Sequence, residues 1–298
     1  MLYLNVNFYT MKNTSLCIVL LLIVFAFKAD KLAFQVFDEK GKTTTYDKAV
    51  KEILISKPDV ILFGELHNSS ICHWLELEFA RDLYASQKEK LVLGAEMFES
   101  DNQVIVNEYL SGKMSDKTFA EEAKVWPNFQ TDYKPLLDFA KDNKLQFIAS
   151  NIPTRYARIV YNKGLPALDS IDADQKKFIA PMPIRYNEYL KCYQDIFFAA
   201  KDGHTGPNLP KSQAIKDATM ASFILKNRVK GQVFVHYNGT YHSNNNEGIA
   251  WYLKQEQPDL KIVVISTVEQ DNISKLDKES TGIAKYVICV PKNMTKTF

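Results

Sequence analysis

Six short apolar runs separated by helical stretches constrain this chain more than any other feature. They are residues 60–64 (VILFG), 91–98 (LVLGAEMF), 145–150 (LQFIAS), 232–237 (QVFVHY), 261–267 (KIVVIST) and 286–290 (YVICV). Continuous rather than alternating apolar character marks strands covered on both faces, which is the habit of parallel sheets. Helical patterns fall near 46–56, 71–86, 101–110, 116–124, 132–143, 154–163 and 211–229. Residues 33–37 and 43–45 flank Asp38-Glu39-Lys40-Gly41 and read as a hairpin. Strand and helix in alternation predict an α/β fold of three layers. It has a mainly parallel sheet, helices on both faces, and a mostly helical insertion, or lid, over the sheet edge. That insertion spans about residues 152–230, between the third and fourth core strands, and includes a Pro- and Gly-bearing stretch at 180–210.

Ligands of such sheets bind beyond the carboxyl ends of the strands, so the strand ends select candidate residues. The first run closes on Gly64-Glu65-Leu66-His67-Asn68, the second on Ala95-Glu96-Met97-Phe98-Glu99, the third on Ser150-Asn151. The fourth closes on His236-Tyr237-Asn238-Gly239-Thr240-Tyr241-His242. Glu65, His67, Glu96, His236 and His242 would share one rim if these strands are neighbours. A carboxylate at Glu96, after five apolar residues, is costly unless it is paired, hydrogen-bonded or metal-bound. Imidazole and carboxylate are ligands for Zn, Mn or Fe. Without a metal the same groups can act as base and orienting partner for water. A single strand-end histidine is as readily a hydrogen-bonded structural residue. What raises these two is repetition: Gly64-x-x-His67 and Gly239-x-x-His242 both follow apolar strands, with glycines expected to allow tight turns. In the helix near 211–229, Gln213 and Asp217 lie four apart on one face; they either cap the helix or meet a polar site. His204 and Gly206, in the preceding loop, either close over the rim or are ordinary solvated loop residues.

Composition narrows the function classes. The net charge is +2 and no basic stripe is present, which argues against nucleic acid as a partner. Cys72, Cys192 and Cys289 are widely spaced with no Cys-x-x-Cys pair, so neither a disulfide framework nor a thiolate metal site is expected. The uncharged apolar run 14–27 lies between Lys12 and Lys28. It is short for a membrane span and fits a secretory leader, residues 1–29, with Met11 as a possible start. Residues 30–298 then form a single domain, exported to the periplasm or outer membrane. Cys17 sits inside the apolar run rather than at its end, the wrong place for a lipid acceptor.

The chain resembles the ChaN-like family of haem-binding, iron-regulated lipoproteins within the Tiki-type superfamily. The resemblance rests on residues 63–68, 93–99 with Asp101-Asn102-Gln103, Asn151-Ile152-Pro153, Gln213-Ala214 with Asp217-Ala218 and Met220-Ala221, and His236-Tyr237-Asn238-Gly239 with His242. Trp126-Pro127 and residues 131–135 also fit. The resemblance implies haem binding at the bacterial envelope and a role in iron acquisition. It further implies a tyrosine on the haem iron, two haems stacked between two protomers, and an envelope haem or iron transporter as partner. Tyr156, flanked by Arg155 and Arg158, is the expected iron ligand, the guanidinium groups being suited to propionates. Tyr161, Tyr186 and Tyr189 compete with it, and His204, Gln213 and Asp217 complete the expected haem surroundings. The wider superfamily implies a different chemistry, a metal-dependent protease or an esterase-like hydrolase. There Glu65, His67, Glu96 and His242 would be catalytic, and Glu65, His67, Glu96, His236 and His242 would surround a divalent metal such as Zn or Mn.

Overall fold

The computed structural model describes residues 31–199 and 206–298. The leader and His204 lie outside the described residues. Residues Phe34–Phe298 form one contact unit. Its elements in chain order begin with strands β1 (Gln35–Asp38) and β2 (Thr43–Thr44), then helix α1 (Tyr46–Ser56), β3 (Val60–Glu65) and α2 (Ser70–Gln87). Next come β4 (Leu91–Glu99), α3 (Gln103–Leu110), α4 (Asp116–Glu122), a π-turn at Phe129–Tyr133, α5 (Lys134–Asp142) and β5 (Gln146–Asn151). The longer elements that follow are α6 (Thr154–Lys163), α7 (Lys191–Ala199), α8 (Leu209–Asn227), β6 (Val233–Gly239), α9 (Ile249–Glu256), β7 (Ile262–Gln270) and β8 (Tyr286–Pro291).

The eight strands form one sheet in the order β2-β1-β8-β7-β3-β6-β4-β5. The six strands from β8 to β5 are mutually parallel; β1 pairs antiparallel with β8 and β2. Side chains along a strand alternate between faces. In β3, Ile61 and Phe63 enter the core shared with α1, α2, α3 and α5, while Val60 and Leu62 enter the one shared with α6, α8 and α9. The expected three layers are therefore present. The stretch between β5 and β6 packs over the β5 edge through α8 and, with α6, covers that face of the sheet. No described helix is long and apolar enough to cross a membrane.

The topology places the site. Strand β6, late in the chain, inserts between β3 and β4, so the ends of three parallel strands lie side by side. Val60–Glu65 register with Phe234–Gly239, and Leu91–Ala95 with Val233–Tyr237. Close packing here depends on Gly94. A Cβ on it would lie 2.8 Å from the Phe234 ring and 3.1 Å from the Ile148 carbonyl oxygen. Gly94→Val is therefore expected to destabilise the fold by about 1–3 kcal/mol through overpacking, read as a lower urea midpoint at unchanged slope.

Candidate functional site

Beyond the ends of β3, β6 and β4 opens a cleft of about 440 Å³, within the range of small-molecule sites. His67, Glu96, Gly239 and His242 line it, as do Gln213, Lys216 and Asp217 of α8. Of the five rim residues expected at the strand ends, Glu65, His67, Glu96 and His242 lie together. Glu65 Oε1 lies 2.5 Å from His67 Nδ1. Glu96 Oε1 lies 3.2 Å from His242 Nε2, and its Oε2 accepts the Gly239 N–H at 2.8 Å. The glycines act differently from expectation. Neither Gly64 nor Gly239 has positive φ; each permits a close approach. A Cβ on Gly64 would sit 3.0 Å from Thr240 Cα, and one on Gly239 only 2.6 Å from His67 Nε2.

Two buried relays hold the imidazoles. Asp217 Oδ1 lies 2.5 Å from His242 Nδ1, and Tyr193 donates its hydroxyl to Asp217 Oδ2 at 2.7 Å. Tyr133 donates to Glu65 Oε1 at 2.9 Å. Behind Glu65 stand His73, whose Nε2 is 3.2 Å from Glu65 Oε2, and Asp132, whose Oδ2 is 3.1 Å from His73 Nδ1. The His67 ring meets Trp126 edge-on at 4.9 Å.

The electrostatics follow from this pairing. Burial alone would drive a proton off His242; the charges of Glu96 and Asp217 reverse that and lift it to about 10. His67 is likewise raised, its burial outweighed by the bond to Glu65 and the charge of Glu96. Burial favours protonating Glu65 and Glu96, but the histidines beside each hold both well below the usual carboxylate range. Burial and the charge of Glu65 push Glu76 well above it. The cleft floor is thus two histidine–carboxylate pairs, and His242 holds its proton at neutral pH between Glu96 and Asp217.

One consequence is measurable. His242 binds its proton up to about pH 10 when folded, against an ordinary 6.5. A raised folded pKa gives stability that is complete below 6.5 and is lost as pH climbs toward 10. The melting temperature should fall across that window, with a slope of at most about 1.4 kcal/mol per pH unit. His242→Gln should flatten the slope.

Other expected residues are placed elsewhere. His236 is fully buried, with Nε2 2.7 Å from Ser150 Oγ and Nδ1 3.1 Å from Asn238 Oδ1; burial pulls it down to about 4. It is a core residue bonded to Ser150 and Asn238 rather than to the rim set. Tyr156 is 5% exposed and donates its hydroxyl to Gln175 Oε1 at 2.5 Å. Arg155 covers the Tyr156 ring and pairs with Asp101 at 2.6 Å, while Arg158 is exposed on the same helix. None of the three lines the cleft. The tyrosines that do are Tyr193, committed to Asp217, and Tyr241, which is 64% exposed. The sequence reading missed His73, Glu76, Asp132, Tyr133 and Tyr193. The signal for two of them was present: His73 and Glu76 interrupt the apolar face of α2 that carries Cys72, Leu75 and Phe79.

The donor set suits haem. Met97, Trp126, Ile152, Ile196 and Leu209 give the cleft an apolar wall, Lys124 and Lys216 add cations, and Tyr241 sits at the rim. Asn151 Oδ1 and Gln213 Oε1, on residues lining the same cleft, are buried without a hydrogen-bond partner.

Comparison with known proteins agrees. The family described as haem-binding uptake, Tiki superfamily, ChaN matches residues 54–253. A solved structure of ChaN of Campylobacter jejuni, with cofacially bound heme, superposes with a TM-score of 0.62 at 17% identity, over 86% of this chain and 96% of that one. A succinoglycan biosynthesis protein superposes at 0.50 with 11% identity, over 87% and 94% of the two chains. At such identities these likenesses concern the fold. The protein RETICULATA-RELATED 5, chloroplastic, of Arabidopsis thaliana is 29% identical over 111 residues. That match spans 36% of this chain and only 15% of the relative's length.

Proposed function

The chain belongs to the ChaN haem-binding uptake family of the Tiki superfamily, and from that premise we propose that the strand-end cleft is its haem site, with Tyr241 as the iron ligand. The observation that carries this reading is the cleft itself, which sets an apolar wall, two lysines and an exposed tyrosine over a floor of histidine–carboxylate pairs. Met97, Trp126, Ile152 and Leu209 would cover the porphyrin face. Lys124 and Lys216 would pair with propionates. Tyr241 would lose its proton on binding ferric iron, and haem would supply the iron centre itself. The finer reading is an exported carrier at the bacterial envelope. It rests on the leader-like run 14–27, with a second copy of the chain and an envelope haem or iron transporter as partners.

Haemin added to the purified protein should give a Soret band distinct from free haemin, with the charge-transfer feature of tyrosinate ligation. Tyr241→Phe should abolish that feature and weaken binding at least tenfold, while Tyr156→Phe should leave both unchanged. The opposite pattern would return the ligand to Tyr156.

A hydrolase is the second reading, supported by the Glu65–His67 and Asp217–His242 pairs. It is the weaker one, because a general base must be unprotonated and His242 retains its proton at neutral pH. It predicts ester or peptide cleavage that rises with pH and is lost in His67→Ala. The metal version would place Zn or Mn among the rim residues, where Glu65, His67, Glu96 and His242 are paired with one another or with Asp217.

A further inference from the structure

We propose that Glu65, His73 and Glu76 form a closed binding site for a divalent first-row cation, behind the floor of the cleft and separate from the haem site. One ligand atom from each of the three lies within 4.8 Å of the others, and all three side chains are buried. Five of their polar atoms have no hydrogen-bond partner: Glu65 Oε2, His73 Nδ1 and Nε2, and Glu76 Oε1 and Oε2. The 3.2 Å approach of His73 Nε2 to Glu65 Oε2 is an ion-pair distance without hydrogen-bond alignment. Unpaired buried polar atoms are costly and rare. These atoms converge without hydrogen-bonding one another, as ligands around a shared point do.

The local sequence builds this convergence. His73 and Glu76 are three apart on α2 and so share one side of the helix, turned toward the end of β3. Glu65 divides its work: Oε1 serves His67 and Tyr133, leaving Oε2 to face the cluster. Tetrahedral bonds of about 2.0–2.2 Å would set ligand atoms about 3.3–3.6 Å apart, so atoms now within 4.8 Å of one another would close in by up to roughly 1–1.5 Å. Metal-bound histidines usually carry a carboxylate on their other nitrogen, which fixes the tautomer. Asp132 stands on that side, its Oδ2 3.1 Å from His73 Nδ1 at ion-pair distance without hydrogen-bond alignment, and is held in turn by Asn128 Nδ2 at 2.6 Å. One imidazole with two carboxylates suits Zn(II), Mn(II) or Fe(II). The site does not depend on the haem reading, since its residues lie outside the cleft lining.

The test uses the full chain, stripped with a chelator, dialysed against Zn(II) or Mn(II) and freed of unbound metal by gel filtration. Elemental analysis should find one metal per chain. The His67→Ala/His242→Ala double variant should retain it, and His73→Asn and Glu76→Gln should each lower retention at least tenfold. Substoichiometric metal in the wild type would overturn the proposal, leaving a proton on Glu76 to satisfy the cluster. So would loss of metal in the cleft double variant with retention in Glu76→Gln. If the buried variants do not fold, anomalous diffraction from zinc-soaked wild-type crystals decides. A peak within bonding distance of His73 Nε2 and Glu76 supports the site, and a peak only in the cleft, or none, refutes it.

Discussion

Glu65→Ala is expected to cost the protein about 3–5 kcal/mol of stability, the usual penalty for stripping one partner from a buried charge cluster. Glu65 is fully buried at the end of β3, in register with Gly239 of β6. One carboxylate oxygen receives both His67 Nδ1 and the Tyr133 hydroxyl, while the other faces His73. Removing the carboxylate strands these partners without water to replace it and leaves a cavity at the strand end. Against a total stability of about 5–15 kcal/mol, the loss would bring a small domain near unfolding at physiological temperature. Urea denaturation measures it directly. The midpoint should fall while the slope, which reports the surface exposed on unfolding, stays constant. A loss under about 1 kcal/mol would mean that the pairs around Glu65 contribute little.

Gly239→Ala is expected to act on the site more than on the fold. Its new methyl group would lie 2.6 Å from His67 Nε2, 2.8 Å from His67 Cε1 and 3.5 Å from Glu96 Oε2. The backbone there has ordinary negative φ, so alanine itself is not strained. The imidazole must give way, and its exposed side is the cleft. That movement breaks the 2.5 Å contact with Glu65 and fills ligand space. Haemin affinity should fall at least tenfold, or about 1.4 kcal/mol. Stability should fall by about 1–3 kcal/mol, because Glu65 loses a buried partner. Spectroscopic titration beside a denaturation curve separates the two effects. Unchanged affinity would place haem outside the cleft.

Much of this was legible in the sequence because parallel strands announce themselves. Runs such as 60–64 and 91–95 are apolar at every position, and the first polar residue after each, Glu65 and Glu96, marks the rim. Glu65, His67, Glu96 and His242 were found in this way. The order of strands was not legible: that β6 inserts between β3 and β4 depends on which helix covers which face. The short helix α9, between Gly248 and Pro258, escaped notice because its eight residues barely complete two helical turns. The surroundings of Tyr156 were not legible for a related reason. Arg155-Tyr156 reads as a cation beside a phenol, but on α6 the guanidinium pairs with Asp101 and the hydroxyl turns to Gln175. Tyr193 and Asp217 belong to different helices, and only the packed structure shows that they bond.

The rim residues now have a physical role apart from ligating anything. Glu96 is affordable at the end of an apolar strand because it accepts the Gly239 N–H and faces His242. His242 is fixed from behind by Asp217. The resulting floor is held by these paired groups, and it lies beneath an apolar wall.

The most direct measurement is a crystal structure of the protein grown with haemin. The account predicts porphyrin in the strand-end cleft, with iron on Tyr241 and propionates toward Lys124 or Lys216. Porphyrin bound at Tyr156 and Arg158, with the cleft left to solvent, would contradict it.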